Sequence, residues 1–92
     1  MIRVIEVGQE KCIPCKVLKN QIQDRIEELE ELRAEFEYIS LDELVDKDTF
    51  IQANRLSSTP TIWIQKDGKT VKEIAGYMDV DSIFEFVREV NE

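Results

Sequence analysis

The stretch "EKCIPCK", residues 10–16, holds both cysteines of this 92-residue chain, Cys12 and Cys15, with Ile13 and Pro14 between them. Two thiols so spaced admit three readings: a redox pair, half of a metal site, or two small residues in a core. Structural zinc takes four ligands, usually cysteine and histidine, and the chain offers two cysteines and no histidine. Carboxylates or a second subunit would have to complete such a site, and no spacing here supplies them, so no metal is expected. Inert packing fits poorly with a stretch that carries Glu10, Lys11 and Lys16. The flanking sequence decides for the redox pair.

Upstream, "IRVIEV", residues 2–7, is rich in β-branched residues and stops at Gly8, which predicts a short buried strand. Downstream, Ile13, Val17, Leu18, Ile22, Ile26, Leu29 and Leu32 recur at helical spacing, predicting one long helix to about Arg33 or Ala34. Pro14 falls in its first turn, where a missing N–H costs little. "EFEYISL", residues 35–41, reads as a second strand. Asp46 or Asp48 caps a short helix bearing Phe50, Ile51, Ala53 and Leu56. "TIWIQ", residues 61–65, and "TVKEIA", residues 70–75, form a hairpin about an Asp-Gly turn. Asp79 or Asp81 starts a last helix with Val80, Ile83, Phe84, Val87 and Val90 on one face. The order β-α-β-α-β-β-α, without linker or repeat, predicts a single α/β domain over residues 1–92.

This frame gives the cysteines asymmetric roles. A helix beginning near Cys12 sets that sulfur beside unpaired backbone N–H groups, whose partial positive charge favours a thiolate. Cys15, one turn on and facing inward, is placed to attack a mixed disulfide formed at Cys12. Lys11 and Lys16 add nearby cations. Cys12 attacks; Cys15 resolves.

Composition narrows the partners. Twelve Lys and Arg against 20 Asp and Glu give a net charge of −8, which repels nucleic acid and anionic membrane alike. The N-terminal apolar run is broken by Arg3 and Glu6, so it reads as neither a signal peptide nor a membrane span. A cytoplasmic location is expected, and there a CxxC pair is catalytic or metal-binding rather than a permanent staple. The acidic run "DRIEELEELRAEFE", residues 24–37, interleaves with the apolar stripe and reads as a solvated helix face. No apolar surface pattern is left over once the core is assigned, so a monomer is expected.

A CxxC that follows a first strand and opens a long helix, with "TPT" before a hairpin, resembles the thioredoxin superfamily. The likeness to thioredoxins is closest in "STPTIWIQKDGKTVKEIAGYMD", residues 58–79, and in "CIPCK", where Ile13 replaces a glycine while Pro14 and Lys16 are kept. Lys11 stands where thioredoxins usually carry a tryptophan, and their additional N-terminal strand and helix are missing. The resemblance implies a compact thioredoxin fold with a four-stranded mixed sheet flanked by helices. It puts Thr59-Pro60 at the cis-proline position and Gly76, sixteen residues on, beside the substrate groove. Pro14, Lys16 and Pro60 would then support the site, and Ile13, Thr59, Pro60, Gly76 and Tyr77 would line the groove. A cis proline turns the preceding residue's N–H and C=O outward, so a substrate segment could pair with Thr59 like an added strand.

Glu6 stands where thioredoxins carry a buried acid that helps move a proton at the second cysteine. Burial would raise its pKa and let it take the proton of Cys15. A solvent-facing place on an edge strand is the rival reading.

The implied function is reduction of protein disulfides, with disulfide-containing proteins as substrates, a reductase or glutathione as electron donor, and no bound cofactor. The first alternative is a glutathione-dependent glutaredoxin, although the CxxC lacks a tyrosine and "AGYMD", residues 75–79, only echoes the Gly-Gly-x-Asp glutathione signature. The second is a redox-inert adaptor that uses the fold to bind a partner.

Overall fold

A computed structural model describes residues 1–92. The chain begins with β1 (Ile2–Gly8), then α1 (Ile13–Asp24) and α2 (Ile26–Glu31). After β2 (Ala34–Ser40), a 3-10 turn (Leu41–Glu43) and α3 (Lys47–Asn54) lead to the hairpin of β3 (Thr61–Lys66) and β4 (Lys69–Ala75), and α4 (Val80–Asn91) closes the chain. The sheet runs β2-β1-β3-β4. β1 pairs parallel with β2 and antiparallel with β3, and β3 pairs antiparallel with β4. This is the mixed four-stranded sheet of the thioredoxin fold, with β1 at its centre.

Strand alternation sorts β1 between two cores. Ile2 and Val4 pack with Leu18, Ile22 and Leu29 of the first two helices and with Ile83, Phe84 and Val87 of α4. Ile5 and Val7 face the other way, onto Leu41, Trp63, and Phe50 and Ile51 of α3. Trp63 spends its indole N–H on Glu73 at 2.7 Å, which satisfies the one polar group it carries into that layer.

Local chemistry sets the ends of the elements. Asp46 caps α3 by accepting from the Thr49 N–H at 3.1 Å, and Asp79 caps α4 by accepting from the Ser82 N–H at 3.0 Å. Asp67 and Gly68, at φ 53° and 84°, make the left-handed turn that a tight hairpin needs.

The single long helix expected from residue 13 to 33 or 34 is two helices broken at Arg25. There φ is −117° and ψ 26°, and the ladder tightens to three-residue bonds from Arg25 N–H to the Ile22 carbonyl and from Glu28 N–H to the Arg25 carbonyl. The Arg25 guanidinium bonds both Glu28 and Asp81 of α4 and lies 4.8 Å from the Phe84 ring centre, which holds the joint against α4. Arg33, at φ 59°, ends the second segment and turns the chain into β2. Val17 also departs from expectation. Cys15, Leu18 and Ile22 face the sheet, and Val17 falls off that line and is exposed.

Candidate active site

The loop leaving the central strand carries the two cysteines to the N-terminus of α1. Cys12 is the N-cap residue, and its sulfur accepts a hydrogen bond from the Cys15 N–H at 3.2 Å. Pro14 lies in the first turn. The two sulfurs form a disulfide with Cα atoms 5.2 Å apart. Cys15 is fully buried, Cys12 keeps 9% of its surface, and Ile13 between them is 73% exposed. Cys12 is thus the more accessible residue of the pair.

Thr59-Pro60 is a cis peptide. Gln9, in the loop before Cys12, donates its side-chain N–H to Thr59 Oγ1 at 3.1 Å, which ties this loop to the cysteine loop. The Gly76 N–H donates to the Pro60 carbonyl at 2.8 Å, and Gly76 has φ 90°, a conformation that favours glycine. The Tyr77 hydroxyl donates to Gln21 of α1 at 3.1 Å, so the residue after the glycine is fastened to the helix that bears the cysteines while half its surface stays exposed. The backbone N–H and C=O of Thr59 make no hydrogen bond within the chain. Lys11 and Lys16 are exposed, and Lys16 lines a polar cleft along α1 and β2.

Glu6 is fully buried on the central strand, and neither carboxylate oxygen has a hydrogen-bond partner. The edge-strand alternative does not hold, because β1 is paired on both sides. By strand alternation Glu6 shares the α1 face of β1 with Val4 and Gly8. Burial pushes its carboxyl up from 4.5 to about 8, and the Lys19 ammonium pulls the other way.

Sequence reasoning did not single out Gly8, Lys19 and Tyr38. A Cβ on Gly8 would collide with the Tyr38 hydroxyl and lie 2.9 Å from Cys15 Cβ, so glycine lets α1 settle onto the strand at the inner cysteine. Gly8→Ala should therefore cost about 1–3 kcal/mol, as overpacking does, read as a lower urea midpoint. Lys19 could have been found, since it lies four residues after Cys15 and so on the same helix face. Nothing in the sequence announces Tyr38, which needs the register that sets it beside Glu6.

The family model for a thioredoxin-like domain matches residues 3–91, and the chain belongs to that family. Among solved structures it is similar to an N21Q mutant thioredoxin from Halobacterium salinarum, with a TM-score of 0.82 at 22% identity over 99% of this chain and 75% of that one. It is also similar to the oxidized mitochondrial thioredoxin 3 of Saccharomyces cerevisiae, with a TM-score of 0.76 at 19% identity over 96% and 77%. A chain in the complex of ferredoxin:thioredoxin reductase with thioredoxin f2 gives a TM-score of 0.79 at 21% identity over 99% and 78%. No curated protein matches by sequence. No helix is long and apolar enough to cross a membrane. A thioredoxin-like domain with a Cys12–Cys15 disulfide supports thiol–disulfide oxidoreductase chemistry.

Proposed function

We propose that the chain reduces protein disulfides through the Cys12–Cys15 pair. The observation that carries this reading is Cys12 at the N-cap of α1, which keeps 9% of its surface and is bonded to a fully buried Cys15, on the sheet face that also buries Glu6. In the reduced protein the helix N-terminus favours a Cys12 thiolate. That thiolate attacks one sulfur of a client disulfide, and the other client sulfur leaves with the bonding electron pair and takes up a proton. Cys15 then gives its proton to Glu6 in its ionised form, the minority form below about pH 8, and attacks the Cys12 sulfur. The Cys12–Cys15 bond forms, the bond from Cys12 to the client breaks, and the second client sulfur departs as a thiolate that is protonated. The client gains two electrons and the protein is left as the disulfide.

In this reading the free N–H and C=O of Thr59 pair with an extended client segment. Ile13, Pro60, Gly76 and Tyr77 border it, and Pro14 and Lys16 support the cysteine loop. The electrons that restore the dithiol come from a reductase, as the ferredoxin:thioredoxin reductase complex with thioredoxin f2 illustrates for a neighbour in fold; glutathione is the competing donor. We place the protein in the cytoplasm as a single-domain monomer, where a dithiol is kept reduced between turnovers.

The test is reduction of insulin disulfides with dithiothreitol as the electron source, together with the reduction potential of the pair. Acceleration over dithiothreitol alone and a potential between about −270 and −220 mV are expected. A potential near about −120 mV would make the protein an oxidant. A persistent glutathione adduct after treatment with glutathione disulfide would favour the glutaredoxin reading.

A further inference from the structure

The cleft of about 650 Å³ that Lys16 lines runs along α1 and β2, and its walls include Lys19, Tyr38, Gln23, Asp42 and Glu43. Tyr38 is the one hydrophobic residue of that lining and has a second exposure, inward. Its hydroxyl borders the space above Gly8 that Cys15 Cβ borders from the helix side. Its backbone pairs in register with Glu6 on the adjoining strand, so the two side chains share the α1 face. The Lys19 ammonium, one turn after Cys15, sits 4.5 Å from the centre of the Tyr38 ring. One aromatic side chain therefore separates a solvent-filled cleft from the inner cysteine and the buried acid, and one lysine holds it.

We propose that Tyr38, clamped by Lys19, is a positioning residue that gates the cleft: it keeps solvent and small reagents from reaching Cys15 and Glu6 from the β2 side, while Lys19 supplies the cationic field that Glu6 feels. This rests on the thiol–disulfide reading of the site and adds to it a route the client does not use.

The neighbours of Glu6 sharpen the charge argument. Lys19 from α1 is the charged group that acts on Glu6. Tyr38 lies beside Glu6 from β2, with Asp42 and Glu43 beyond in the turn after that strand, and Cys15 borders the neighbouring space over Gly8. The other elements on this face contribute apolar Ile62, Ile74, Ile83 and Phe84 to the core. Lys19 is thus the cation that opposes the cost of burying a carboxylate. Burial, together with the charges of Glu6, Asp42 and Glu43, raises the Tyr38 phenol above its ordinary range, so it remains a neutral hydroxyl.

Two measurements test the gate, and neither needs disulfide reductase activity. In a Cys12→Ser background only Cys15 can be alkylated. There Tyr38→Ala is expected to raise its rate with iodoacetamide about tenfold, because access limits a buried thiol. Tyr38→Phe keeps the ring and its lysine and should stay within about twofold of the parent. Separately, the carboxyl carbon signal of Glu6 is titrated by NMR in the reduced protein and in Lys19→Met. Loss of the ammonium should move the midpoint to higher pH.

Equal alkylation rates in Tyr38→Ala and Tyr38→Phe would overturn the gate, and an unmoved Glu6 midpoint in Lys19→Met would overturn the part assigned to the lysine's charge. Should Tyr38→Ala fail to fold, Cys15 alkylation in Cys12→Ser with Lys19→Met decides: release of the ring from its lysine should raise the rate, and an unchanged rate would overturn the clamped gate. Failure to reduce insulin, with both of these results as expected, would reject the proposed function and leave the gate standing.

Discussion

Cys12→Ser is expected to leave no reduction of insulin disulfides above the dithiothreitol background, a loss of about a thousandfold or more. Serine cannot form the sulfur–sulfur bond through which electrons pass, so no other feature of the site can compensate. The loss will not come from unfolding. Serine is a favoured N-cap residue, and its hydroxyl can accept the Cys15 N–H that the sulfur now accepts. Cys15→Ser should behave differently. Its Cys12 still attacks, but nothing resolves the product, so a covalent adduct with the client should accumulate in non-reducing mass spectra. Retained activity in Cys12→Ser, or no adduct with Cys15→Ser, would reverse or remove the assigned roles.

Replacing Glu6 by glutamine should change stability as much as catalysis. The Glu6 carboxyl titrates at 4.5 in an unfolded chain and at about 8 in the folded one. Between those values the unfolded state has released the proton and the folded state keeps it, so stability falls as pH rises through that window. It is fully present below about 4.5 and lost by about 8, at roughly 1.4 kcal/mol per pH unit. At pH 7 the accumulated cost is on the order of 3 kcal/mol. Glu6→Gln resembles the protonated acid and carries no charge to bury. Urea unfolding at pH 5 and pH 8 should show wild-type stability dropping while that of the variant changes little. Parallel curves would mean that Glu6 is not the group responsible. The same substitution should slow disulfide reduction and flatten its pH dependence near neutrality, since Cys15 loses the carboxylate that accepts its proton.

That opposition between stability and use explains what the sequence could and could not reveal. The strands and the hairpin were legible because alternation and the Asp67-Gly68 turn are local properties. The ends of α3 and α4 were legible to within a choice of two aspartates. The break at Arg25 was not, because the apolar spacing from Ile22 to Ile26 survives it and neither glycine nor proline marks it. What holds the joint is a pairing with Asp81, far along the chain. The cysteines declared themselves by spacing and by Pro14. Whether Glu6 was buried or at an edge depended on strand order, which needed β3 to come back beside β1. Tyr38 depended on register as well, and Lys19 mattered only once α1 was laid across that register. Covalent chemistry was written locally; the electrostatics that tune it were distributed over three elements.

The unpaired main chain of Thr59 has a consequence for the choice of clients. Amide and carbonyl groups are common to nearly every residue, so a docking contact made there recognises the shape of a strand and ignores its spelling. On the proposed reading, discrimination falls to whatever surrounds the client's sulfur, to Ile13 and Tyr77 at the rim and to the repulsion between acidic proteins. Such a protein would serve many unrelated clients whose disulfides lie in exposed, extended segments, and would pass over those buried in helices.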